Sequence, residues 1–184
     1  MAAAEIRAKS LLVLGGARSG KSRYAHRLAE KSRLRPVLIA TAQACDAEMA
    51  LRIKRHAAGR GAQWTVVEEP VALVEALWRE VRKDRIVVVD CTTLWLSNLM
   101  LGDGNVAAAT QRLALSVAGL SGPVIFVSNE VGSGVVPQNG LARAFRDAQG
   151  DLNQALAETC EAVVSVSAGI AVQLKPSTEP VFFF

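Results

Sequence analysis

The 184-residue chain is short of several residue types, and each scarcity removes a class of function. Aromatic residues make up 5% and do not interleave with a basic strand face, as stacking on single-stranded bases would require. The three cysteines, Cys45, Cys91 and Cys160, are odd in number, widely spaced and form no C-x-x-C. They indicate neither a disulfide framework nor a zinc site, and they suit a reducing cytoplasm. No apolar run approaches the roughly 18 residues of a membrane span, and the opening MAAAEIRAKS has no apolar signal core. The expected location is cytoplasmic, with no membrane span. Linkers, repeats and low-complexity stretches are also missing, so one domain over 1–184 is expected, with 1–10 and 176–184 as peripheral tails.

What is present reads as a globular α/β chain. Hydrophobic residues are 51% and charged residues 21%, with a net charge of +4. That balance accommodates phosphate-bearing ligands but lacks the dense Lys/Arg patches of a dedicated nucleic-acid binder. Short β-branched runs, LLVLG, VLIAT, WTVVE, IVVVD, VIFVS and AVVSVS, alternate with longer Ala/Leu/Arg-rich segments. The runs lack polar alternation, as in a mostly parallel sheet covered by helices on both faces. Helices are expected near Gly20–Lys31, Asp46–Ala57, Pro70–Arg82, Val106–Leu120 and Leu141–Glu161. After VVSVS, the turn-forming AGI before AVQLK predicts a hairpin and one antiparallel edge strand near the C-terminus.

Gly15 to Ser22, GGARSGKS, satisfy G-x-x-x-x-G-K-[ST] between an apolar strand and a helical run, the context a P-loop requires. Backbone N–H groups of Gly15, Gly16, Ala17, Arg18, Ser19 and Gly20 would converge on a triphosphate at a helix N-terminus. Lys21 would reach the β/γ-phosphates and Ser22 would ligate Mg²⁺. Arg18 is placed to meet either phosphate or solvent. A second metal partner is normally an acid at another strand end, and IVVVD supplies Asp90; its plainer role is to cap the following turn. Asn129 and Glu130 end the run VIFVSNE, and Glu130 should lie with Asp90 along the carboxyl edge near the P-loop.

Only two histidines occur. With Asp46 as N-cap and Gly59 beyond the helix, Met49, Ile53 and His56 fall at i, i+4, i+7, so His56 shares the apolar face. Two roles fit it: a structural histidine at the core edge, or a nucleophile turned toward the nucleotide. Neighbouring cations favour its neutral form and the helix C-terminus its charged form, two opposing effects. His26 falls opposite Tyr24 and Leu28 and is expected to face solvent.

Four segments together carry a resemblance: GGARSGKSRYAHRLAE, IATAQACDAEMALRIKRHAAGRGAQW, VVVDCTTLWLSNL and VSNEVGSGVVPQNGLARAFRDAQGDLNQALA. They resemble the bifunctional adenosylcobinamide kinase / adenosylcobinamide-phosphate guanylyltransferase family of cobalamin synthesis, from about Leu11 to Lys175. R-I-x-x-H-x-x-x-R and N-E-V-G-x-G-x-V-P, in this order after a P-loop, make the likeness specific. It implies a RecA-like P-loop NTPase fold assembled as a homotrimer. It also implies phosphorylation of adenosylcobinamide by ATP or GTP, then transfer of GMP from GTP to adenosylcobinamide phosphate. In that family the histidine of R-I-x-x-H carries GMP, which maps to His56. The likeness further implies a GTP site lined by Thr41, Ala42 and Gln43, by Ala57, Ala58, Gly59 and Arg60, and by Glu68 and Asp90. Glu69 replaces Glu68 if the strand register differs by one.

Other classes fit less well. A regulatory GTPase needs N-K-x-D, and SNEV lacks its Lys and Asp. A RecA-like, nucleic-acid-stimulated ATPase shares the fold without the stacking aromatics. A kinase for another small alcohol uses the same P-loop and Asp90, and the His56 segment separates it.

Overall fold

A computed structural model of the chain describes residues 8–43 and 61–177. In chain order the elements are β1 (Ser10–Gly15), α1 (Lys21–Lys31), β2 (Arg35–Ala40), β3 (Thr65–Glu68), α2 (Leu73–Glu80), β4 (Arg85–Asp90), α3 (Thr92–Leu101), α4 (Val106–Val117), β5 (Val124–Asn129), α5 (Gly140–Thr159), β6 (Ala162–Ser167) and β7 (Ile170–Lys175). The strands form one seven-stranded sheet in the order β3-β2-β4-β5-β1-β6-β7. All neighbours are parallel except β6 and β7, the antiparallel edge pair the AGI turn predicts. Ala168 and Gly169 both take positive φ, 51° and 81°, the conformation a tight two-residue hairpin turn demands.

The unbroken apolar runs are explained by two cores, one on each sheet face. Leu12, Leu14, Val37, Ile39, Val87, Val89, Val124 and Phe126 point to one side, where they meet Trp95, Leu96, Leu113, Leu152 and Leu156 of the helices. Val13, Leu38, Ile86, Val88, Ile125 and Val127 alternate to the other side and meet Ala25 and Ala29 of α1 and the indole of Trp64. In the inner strands β1, β2, β4 and β5, alternate residues are apolar toward both sides, so none of these four shows a polar face. No helix of the described residues is long and apolar enough to cross a membrane.

One helix escapes the sequence pattern. α3, TTLWLSNLML, follows β4 directly, with Trp95, Leu96 and Leu99 in the core while Leu101 stays 71% exposed. Apolar residues on all its sides leave no 3.6-residue stripe to read. α2 is shorter than the expected Pro70–Arg82. Glu69 Oε1 accepts from the Val71 and Ala72 N–H groups, at 3.2 and 2.8 Å, and holds that stretch as a turn before the helix starts. At the other end Val81 is extended. The expected helix Asp46–Ala57 lies outside the described residues.

Candidate active site

The P-loop sits where β1 gives way to α1. Gly15 passes so close to β6 that a Cβ there would stand 2.5 Å from both the Val166 carbonyl oxygen and Ser19 Oγ. Gly20 has φ 96°, a left-handed conformation that costs a side chain energy, and caps α1. The hairpin turn braces the loop from outside, since the Gly169 N–H donates to the Ser19 carbonyl at 2.8 Å. Ala17 and Arg18 are exposed at the tip. Lys21, only 8% exposed, folds back so that Nζ donates to the Gly16 carbonyl at 3.0 Å. A buried cation at the head of a helix, under a loop of turned backbone, is an arrangement that suits a polyphosphate.

Asp90 ends β4, two places from β1 in the sheet. Its Oδ1 accepts from Ser22 Oγ at 3.2 Å, so the expected metal pair is brought together. The Glu130 N–H donates to the Gly15 carbonyl at 3.0 Å and the Asn129 N–H to Thr93 Oγ1 at 2.9 Å, placing the end of β5 beside the loop. A buried set supports that strand end: Gln149 Nε2 donates to Ser128 Oγ at 3.0 Å, and Asn153 Nδ2 donates to the Asn129 carbonyl at 3.0 Å.

The remaining expected residues spread along the carboxyl edge. Thr41 is fully buried, and its hydroxyl donates to the Cys91 carbonyl at 2.7 Å while accepting from the Cys91 N–H at 3.0 Å. That hydroxyl locks β2 to β4 and has no spare proton for a ligand. Asn98 Nδ2 holds the Thr41 carbonyl at 2.8 Å. Gln43 is exposed. Glu68, also exposed, ends β3, four strand spacings or about 19 Å from β1. Glu69 is occupied in capping the turn before α2, so of the two acids Glu68 is open to a ligand. His56, Ala57, Ala58, Gly59 and Arg60 lie outside the described residues.

His26 does not face solvent as helix position suggested. Its side chain is 17% exposed, its Nε2 lies 3.7 Å from Asp90 Oδ2, and its ring packs against Trp64 with centroids 4.9 Å apart. The face opposite Tyr24 is covered by an indole delivered from 38 positions downstream, which helical spacing cannot reveal. One signal was present: His26 stands four residues after Ser22 and so on the same side of α1.

Cys91, next to Asp90, is a buried thiol. Burial, reinforced by the Asp90 charge, pushes it up to about 11, and burial pushes Cys160 up to about 12. Both stay protonated at neutral pH and are neither nucleophiles nor thiolate ligands. From an ordinary 9.0, the unfolded chain sheds these protons first. Stability fully present below pH 9 should therefore fall as pH rises toward 11–12, by on the order of 1 kcal/mol per pH unit per thiol. Urea unfolding from pH 8 to 11 on the wild type and on Cys91→Ala/Cys160→Ala checks this; equal slopes for the two proteins would refute it.

A Lys-and-Ser phosphate cradle at the carboxyl edge of a parallel sheet, with an acid on a second strand end, defines a P-loop nucleotide-binding enzyme. The fold is similar to that of a prototypical ATPase from the type III secretion system of pathogenic bacteria, with TM-score 0.55 and 8% identity over 90% of this chain and 56% of that one. It is also similar to that of a Pyrococcus horikoshii OT3 protein, with TM-score 0.54 and 13% identity over 91% and 87%. Sequence is more specific. Residues 11–174 match the family of cobinamide kinase / cobinamide phosphate guanyltransferase. The bifunctional adenosylcobalamin biosynthesis protein CobP of Pseudomonas aeruginosa is 50% identical over 89% of this chain and 96% of its own length. The corresponding CobU of Escherichia coli K12 is 37% identical over 90% and 99%. The chain belongs to the cobinamide kinase / cobinamide phosphate guanyltransferase family and is an enzyme with both activities.

Proposed function

We propose that this enzyme phosphorylates the hydroxyl of adenosylcobinamide with ATP or GTP, then transfers GMP from GTP to adenosylcobinamide phosphate through a GMP-His56 intermediate. The observation that carries the nucleotide chemistry is the convergence of Lys21, Ser22 and Asp90 on the P-loop. Family membership supports the substrates, and the resemblance of the R-I-x-x-H segment supports His56.

Ser22 and Asp90 offer hard oxygen donors, and no group of three or more His, Cys, Asp or Glu side chains fit to hold a metal occurs among the described residues. That sparse set fits Mg²⁺, which keeps water and takes phosphate oxygens rather than a full protein cage. When bound, Mg²⁺ supplies positive charge beside the β- and γ-phosphates. Lys21 turns from the Gly16 carbonyl to the phosphates. In the first reaction the alcohol oxygen attacks the γ-phosphorus and the nucleoside diphosphate leaves. In the second, an imidazole nitrogen of His56 forms a bond to the α-phosphorus as the bond to the β-phosphate oxygen breaks and pyrophosphate leaves. A phosphate oxygen of the substrate then attacks the same phosphorus and the P–N bond breaks, restoring the imidazole. Two easier steps replace one difficult transfer. Arg60 neutralises charge on the equatorial oxygens. A GTP extended along the carboxyl edge, phosphates at β1, reaches toward Thr41, Ala42, Gln43 and Glu68. The working assembly is a cytoplasmic homotrimer that takes no nucleic acid.

The test is GTP labelled at one phosphate. Label at the α-position should stay on the protein in an acid-labile, base-stable bond, and γ-label should not. Adding unlabelled adenosylcobinamide phosphate should discharge the α-label into product. Protein that takes up no α-label while still forming adenosylcobinamide-GDP would sink the covalent route.

A further inference from the structure

One stripe of α1 governs Asp90. Ser22, His26 and Glu30 follow at four-residue intervals and so share a face beside the buried stripe of Lys21, Ala25 and Ala29. Ser22 Oγ donates to Asp90 Oδ1 at 3.2 Å, and His26 Nε2 approaches the other oxygen, Oδ2, at 3.7 Å. Glu30 Oε1 accepts the indole N–H of Trp64 at 3.1 Å, and the Trp64 ring lies against His26, the planes inclined by 50°. Trp64 is 8% exposed, so the imidazole lies between a buried indole and the carboxylate.

We propose that His26 is a positioning residue for Asp90, with Trp64 as its backstop, and that it sets how tightly the site holds a divalent cation beside bound triphosphate. This rests on the reading of Asp90 as the acid that serves the metal. A terminal carboxylate torsion is soft, and Ser22 alone constrains only one oxygen. Carboxylates that hold metals depend on outer partners to fix their orientation, and losing such a partner typically lowers metal affinity about 10- to 100-fold. At 3.7 Å the contact is longer than a formed hydrogen bond and closes with a shift of less than about 1 Å. Either the Nε2–H tautomer or the imidazolium supplies the donor.

Two variants separate positioning from packing. His26→Phe keeps a ring against Trp64 and removes the N–H, whereas His26→Gln keeps an N–H at the reach of Nε2 and removes the ring. The measurement is GTP binding by calorimetry across a Mg²⁺ titration and in EDTA, with no turnover required. Tryptophan fluorescence follows the same titration, with Trp64→Phe identifying its signal against Trp78 and Trp95. His26→Phe should raise the half-saturating Mg²⁺ concentration about tenfold. Its affinity for GTP in EDTA should stay near wild type, and His26→Gln should recover most of the Mg²⁺ response. Wild-type Mg²⁺ dependence in His26→Phe, with Asp90→Asn impaired, overturns the proposal alone. Equal loss in both His26 variants, including in EDTA, marks a packing role and also overturns it. An Asp90→Asn protein with wild-type Mg²⁺ dependence removes the metal reading of Asp90 and the proposal with it.

Discussion

Lys21→Ala is expected to remove both reactions together. Lys21 is 8% exposed and sits at the first position of α1, and its ammonium rests on the Gly16 carbonyl of the loop whose bound phosphates it must neutralise. A charge-assisted hydrogen bond is worth about 1.5–3 kcal/mol, so GTP affinity should drop by roughly 10- to 100-fold. The transition states lose more. Charge moves onto the β-phosphate as the nucleoside diphosphate leaves in the first reaction and onto the departing pyrophosphate in the second, and removing one preorganised electrostatic contact costs a further ~10²–10³ in rate. Alanine keeps the helical propensity of that position, so the thermal midpoint should hardly change. Calorimetric titration with GTP, followed by separate assays of phosphorylation and guanylyl transfer, decides the matter. Wild-type affinity with both rates intact would remove the P-loop from the chemistry. Loss of one activity alone would mean two triphosphate sites.

The β-sheet and the P-loop were legible in the sequence because each rests on short-range signals. Strands buried on both faces read as unbroken apolar runs, and the loop needs four fixed residues between a strand and a helix. Their joining to Asp90 was legible by rule, since strand ends of an open sheet meet at one edge. What escaped is long-range. The tie between β2 and β4 that the Thr41 hydroxyl makes with Cys91 spans 50 positions. The helical spacing of α1 points His26 to solvent, and only the arrival of Trp64 and Asp90 makes it an inner residue. Glu68 and Glu69 were equivalent in sequence; the turn before α2 tells them apart by consuming Glu69. α3 carries no such signal, because apolar residues lie around it without a 3.6-residue stripe and it starts without a side-chain cap.

His56→Ala should separate the two activities that Lys21→Ala abolishes jointly. If the imidazole bonds to the α-phosphorus, its removal leaves guanylyl transfer with no nucleophile, and the rate should fall by at least about three orders of magnitude, the scale on which losing a covalent nucleophile acts. α-Labelled GTP should then leave nothing on the protein. Phosphorylation of adenosylcobinamide needs no such intermediate, because the alcohol attacks the γ-phosphorus directly, and it should persist within a few-fold of wild type. Added imidazole offers a further readout: in the vacated position it can accept GMP from GTP as a diffusible nucleophile and restore a fraction of the transfer. A histidine with a structural role predicts the opposite pattern, with both activities and the thermal midpoint declining in parallel and no rescue. Retention of α-label in the variant would shift attention to His26, the one other histidine of the chain and a neighbour of Asp90. The double variant His26→Gln/His56→Ala would then lose the label that His56→Ala had kept.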